Sequence, residues 1–139
     1  MTPTPAPPRR VRTLAAVAFW PLLAVWTWKL LEPYPVPEGV REYFGLWQFL
    51  AAKTLHFVGY ATLAGLAWLQ ATTYRGRVLA VAAVVAHGGL TELLQHLLPF
   101  NRYGCWRDTG LDAAGALTGA LVTYLVWRYA LPRSRPDPA

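Results

Sequence analysis

ATLAGLAWLQATTYRGRVLAVAAVVA, residues 61–86, holds two apolar runs joined by a short basic turn. Ala61 to Leu69 and Val78 to Ala86 carry no charge on any face. A helix in a soluble bundle needs a polar face towards water; one that is apolar all round is buried or lies in lipid. The pair therefore reads as two membrane-spanning helices with a tight basic turn at Tyr74–Arg77.

Working outward, Thr13 to Leu31 is a further apolar run, broken only by Pro21, Thr27 and Lys29 and preceded by Arg9, Arg10 and Arg12. A basic start before an apolar stretch also describes a signal peptide. No small-residue cleavage site follows Trp26 and Trp28, so a first spanning helix kinked at Pro21 is the expectation. Glu32 to Gly45, with three prolines and mixed charge, reads as a loop whose later aromatic part lies along the membrane surface. The fourth run begins with Asp108 and Asp112 and contains Gly115 and Gly119. About 20 residues of helix cross the hydrocarbon core. The spacing thus predicts an all-α, polytopic membrane bundle with four helices at about 11–31, 47–72, 78–98 and 108–131, one domain over 11–131, and disordered tails at 1–10 and 132–139.

Composition agrees. Of 139 residues, 55% are hydrophobic and only 14% charged, where a soluble domain carries about a quarter. The net charge of +6 raises the question of nucleic acid. A nucleic-acid binder would show a basic face on a soluble fold, whereas here Lys and Arg sit in short clusters between apolar runs. Cys105 is the only cysteine, so no intrachain disulfide forms. The Lys and Arg residues also give an orientation. Arg9, Arg10, Arg12, Arg75, Arg77, Arg128, Arg133 and Arg135 fall on one side; Lys29, Arg41, Lys53, Arg102 and Arg107 fall on the other. By the positive-inside rule both termini are expected in the cytoplasm.

The polar residues inside the apolar runs come to one level. Lys53 and His56 lie in the outer third of the second helix, Glu92, Gln95 and His96 in that of the third, Asp108 and Asp112 in that of the fourth. At 1.5 Å per residue, Glu92 sits about 9 Å from the helix end at Leu98. Lys53, His56, Phe57 and Tyr60 share a stripe by their i, i+3, i+4, i+7 spacing, as do Glu92 and Gln95, and Asp108, Asp112, Gly115 and Gly119. Ionisable groups at membrane depth face the bundle interior and seek partners. An outward-facing polar pocket of Lys53, His56, Tyr60, Glu92, Gln95, Asp108 and Asp112, with Arg102 at its lip, is the functional reading. An ion-pair network that only fixes helix register is the structural one. Gly115 and Gly119 form a small-xxx-small motif for helix packing. His87, alone in mid-helix, is expected to be satisfied by a neighbouring helix, and His96 to be interfacial.

A metal is not expected. Glu92, His96, Asp112 and His56 are donors in principle, but no two-ligand spacing such as His-Glu-x-x-His is present, and nearby Lys and Arg oppose a cation. No other cofactor is implied. Nucleophilic catalysis lacks a serine, since Ser134 in the tail is the only one. General acid–base work by His56 and Glu92 keeps an enzyme among the readings.

Lys53-Thr54-Leu55-His56-Phe57-Val58-Gly59-Tyr60, then Glu92-Leu93-Leu94-Gln95, Arg102, and Asp108 with Gly115 and Gly119 resemble the VanZ-like family of small bacterial membrane proteins. The resemblance covers roughly residues 50 to 120. Ala52 stands where that family usually has Asp before the Lys, and Asp112 where it usually has Asn. The resemblance implies a multi-pass protein of the bacterial cytoplasmic membrane linked to susceptibility to teicoplanin-type glycopeptides. Its expected partners are membrane lipids or a lipid-linked cell-wall precursor, bound through Lys53, His56 and Arg102. A membrane enzyme acting on a lipid phosphate or glycan is the alternative. A structural subunit, assembling with itself or another chain through the Gly115/Gly119 face, is the third reading.

Overall fold

The computed structural model describes residues 5–32, 38–98 and 106–130, without the side chains of 38–44, 48 and 130. All its regular structure is helical: α1 Arg9–Leu31, α2 Glu38–Gln70, α3 Tyr74–Leu97 and α4 Trp106–Leu125, the last widening into a π turn over Val126–Ala130. Four segments are long and apolar enough to cross a membrane: Arg9–Leu31, Gly45–Gln70, Tyr74–Leu97 and Trp106–Tyr129.

Packing follows from where the small and large side chains fall. The buried core, Phe19, Leu30, Tyr60, Leu63, Ala64, Ala67, Val84 and Ala116, draws on all four helices. Leu14, Trp20, Leu79, Leu117 and Leu121 face outward and are more than half exposed. An apolar core inside an apolar surface suits a hydrocarbon solvent, where large exposed side chains carry no hydrophobic penalty. α2 packs against the other three helices and so does α3, while α1 and α4 do not meet among the described residues. The α2–α4 interface is the closest. A Cβ at Gly115 would run into the Phe57 carbonyl, and one at Gly119 into the Ala61 carbonyl. Only glycine lets the two backbones touch there.

Three boundaries differ from the sequence reading. The expected loop Glu32–Gly45 is helical from Glu38 onward. Three prolines argue for a loop, but the last is Pro37 and nothing after it breaks a helix. Tyr74–Arg77, expected as a turn, is the first turn of α3. Thr73 caps it, its hydroxyl accepting from the Gly76 N–H at 3.1 Å, which satisfies one of the otherwise unbonded first-turn amides. Third, residues within the stretch expected as a disordered tail contact the bundle or belong to α1. The Pro5 carbonyl accepts from Arg77 Nη2 at 2.9 Å and from Trp127 Nε1 at 3.0 Å, and α1 starts at Arg9. Arg77 itself is buried, its guanidinium stacked 4.0 Å from the Trp68 ring. α1 continues through Pro21 to Leu31. The expected tail 132–139 lies outside the described residues.

Candidate functional site

α2, α3 and α4 each carry a polar stripe, and the close α2–α4 contact brings two of them face to face. The Lys53 ammonium pairs with Asp108 Oδ1. One turn deeper, His56 Nδ1 and Asp112 Oδ1 are 2.9 Å apart. The i, i+3 step on α2 matches the i, i+4 step on α4, so the two pairs stack as rungs. Lys53 and Asp108 keep 28% and 16% of their side-chain surface, whereas Asp112 keeps 1%. The entrance is therefore at the Lys53 rung and the floor at Asp112.

α3 closes the site. Gly88 allows its close approach, since a Cβ there would meet Asp112 Cβ at 3.0 Å and Tyr60 Cε1 at 3.3 Å. Glu92, one turn on, is buried, and its carboxylate lies within 4.8 Å of donor atoms of both His56 and Asp112. Gln95 is buried as well, but its Nε2 donates to the Leu30 carbonyl at 2.7 Å. Leu30 sits in the last turn of α1, where carbonyls lack a helical partner. Gln95 thus ties α3 to α1. Trp26 of α1 supplies a wall, its ring edge-on to His56 at 6.2 Å and to Tyr60 at 6.3 Å. Its Nε1 is buried without a hydrogen-bond partner among the described residues.

Beneath the rungs runs a chain of hydrogen bonds. Tyr60 is fully buried, its hydroxyl 3.1 Å from His87 Nδ1 and 3.2 Å from Thr91 Oγ1. His87 Nε2 is 2.8 Å from Thr27 Oγ1, and Thr27 donates to the Leu23 carbonyl at 2.7 Å. Each hydroxyl has one hydrogen to give. With Thr27 donating to Leu23, the Nε2–H of His87 donates to Thr27 and Tyr60 donates to His87 Nδ1. Thr91 turns its hydrogen either to Tyr60 or to the Gly88 carbonyl at 2.9 Å. In a neutral His87 these bonds put the ring proton on Nε2. His87 is thus held by neighbouring helices, and Thr27 and Thr91 are network members that one-helix spacing does not single out.

Of the expected pocket residues, Lys53, His56, Glu92, Asp108 and Asp112 form one cluster. Tyr60 lies below it and Gln95 beside it, each bonded elsewhere. His96 is exposed on α3, and Arg102 lies outside the described residues. A groove of about 700 Å³ lies away from this centre, bounded by Trp68, Arg77, Val81, Leu117 and Tyr124, and holds none of the expected residues. The Asp112 carboxylate, bonded to Nδ1, fixes the orientation of the His56 ring.

No protein-family model matches the chain, and comparison with curated proteins and with solved structures gives no significant match.

Proposed function

We propose that the chain is a VanZ-like multi-pass protein of the bacterial cytoplasmic membrane, both termini cytoplasmic, that holds the anionic headgroup of a membrane lipid or lipid-linked precursor at the Lys53–His56 entrance. Such a protein would modulate susceptibility to teicoplanin-type glycopeptides by occupying or presenting that headgroup. One observation carries the reading. Charged residues spread over three helices, Lys53, His56, Glu92, Asp108 and Asp112, converge at one level with a partly exposed cation at the rim. Placing so many ionisable groups at that depth is costly, and a headgroup phosphate gives the cations charge-assisted hydrogen bonds in return.

A structural reading is favoured by one fact: Lys53 is already paired with Asp108. On that view the rungs serve only to set the register of α2 on α4.

A charge swap separates the two. The chain is purified in mild detergent with phosphatidylglycerol or a polyprenyl phosphate, and retained lipid is read by native mass spectrometry beside thermal stability. Lys53→Asp alone should lose both. Adding Asp108→Lys should restore stability under either reading, because the pair is rebuilt. The headgroup reading requires that lipid retention stay low in the swap, because the rim cation has moved to the other helix. Full retention in the swap, or in Arg102→Ala, refutes the headgroup site and leaves the register role.

A further inference from the structure

His56, Glu92 and Asp112 come from three different helices, yet one donor atom from each lies within 4.8 Å of the others. Glu92 and Asp112 are buried. Asp112 is fully buried; one of its oxygens faces His56, and the other, Oδ2, is buried with no hydrogen-bond partner among the described residues. A lone pair of a carboxylate left bare inside a bundle is costly unless a proton or a cation meets it. We propose that His56, Glu92 and Asp112 bind a single divalent transition metal of the zinc class.

The donor set fits that chemistry. Zinc takes imidazole nitrogen and carboxylate oxygen at about 2.0–2.2 Å, commonly with three protein ligands and one open position. Donors that far from one ion lie about 3–4 Å apart, so the His56–Asp112 pair, hydrogen-bonded at 2.9 Å, needs to open only slightly to ligate one metal. The Glu92 carboxylate, within 4.8 Å of both, would have to move in to complete the set. The hydrogen shared between Nδ1 and Oδ1 leaves Nδ1 as the metal arrives, passing to Nε2 or to solvent, as metal binding to protonated ligands requires. Lys53 does not oppose the ion directly, because Asp108 holds its ammonium one turn away. Along any one helix these residues show no metal-ligand spacing; the donors meet only across three. The metal inference does not depend on headgroup binding.

The test uses the full chain in detergent, stripped with chelator, then given zinc chloride alone and passed through gel filtration. Elemental analysis should find about one zinc per chain in the wild type and in His96→Ala, which removes an exposed histidine outside the set. Asp112→Asn should lower affinity by more than the roughly 10–100-fold that an outer-shell partner is worth. Lys53→Ala should keep the metal even where it loses lipid, so failure of one reading is told from failure of the other. Should Asp112→Asn not fold, cobalt(II) in the wild type still decides. A bound nitrogen–oxygen set gives visible ligand-field bands that zinc displaces. Substoichiometric zinc in the wild type, unchanged affinity in folded Asp112→Asn, or a bandless cobalt spectrum overturns the proposal.

Discussion

Replacing Gly119 by Ala places one methyl group where α4 and α2 touch backbone to backbone. A Cβ there lies 2.6 Å from the Ala61 Cα and closer still to the Ala61 carbonyl. Non-bonded carbons settle at about 3.5–4.0 Å, so the helices must part by roughly 1 Å. The same interface carries Lys53–Asp108 and His56–Asp112, and a 2.9 Å contact opened that far no longer bonds. Overpacking alone costs about 1–3 kcal/mol, and a buried polar group left unsatisfied about as much again. The expected loss is therefore roughly 2–6 kcal/mol. Gly115→Ala should lose less, because its Cβ stands 3.1 Å from the Phe57 Cα. Gly110→Ala is the control. It lies inside α4 with nothing within 4 Å, so the helix should gain about 0.5–1 kcal/mol. Reversible unfolding in mixed micelles, driven by SDS and followed by circular dichroism, measures all three. If Gly119→Ala unfolds with Gly110→Ala, or if Gly115→Ala is the worse of the two, the backbone-contact argument fails.

Reporter fusions at Arg77 and after Leu131 should report cytoplasm and one at Gly39 the outside; an outside signal at Arg77 would reverse the orientation. Arg77→Ala should cost about 1–3 kcal/mol, since it removes both the ring stacking on Trp68 and the bond to the Pro5 carbonyl. Tryptophan emission should shift with it, and Arg77→Lys should recover only part of the loss because a lysine cannot stack and fork at once. Wild-type stability in Arg77→Ala would show that the strap carries no weight.

The four helices were legible because apolar runs of membrane length leave few alternatives, and the rungs were legible because helical spacing puts Lys53 and His56, or Asp108 and Asp112, on one face. What stayed hidden depends on which helix stands next to which. Gln95 reads as a pocket residue until α1 brings the Leu30 carbonyl to it. Tyr60 shares a stripe with His56, yet its hydroxyl is taken by His87 and Thr91 of α3. The start of α3 was hidden for a local reason. Two arginines beside Gly76 look like a loop, and positive charge in a first turn opposes the helix dipole; the cap on Thr73 and the burial of Arg77 outweigh it.

The hydrogen bond from Trp127 to the Pro5 carbonyl spans 122 residues of chain. At a synthesis rate of about 5–20 residues per second, Pro5 leaves the ribosome some 6–25 s before its partner. During that interval α1 can already meet α2 and α3, and Arg77 can already hold Pro5, but the bond that joins Trp127 to Pro5 is the last to form. Assembly of this bundle thus has a built-in order: the early helices form a cradle, and the arrival of the fourth fastens it.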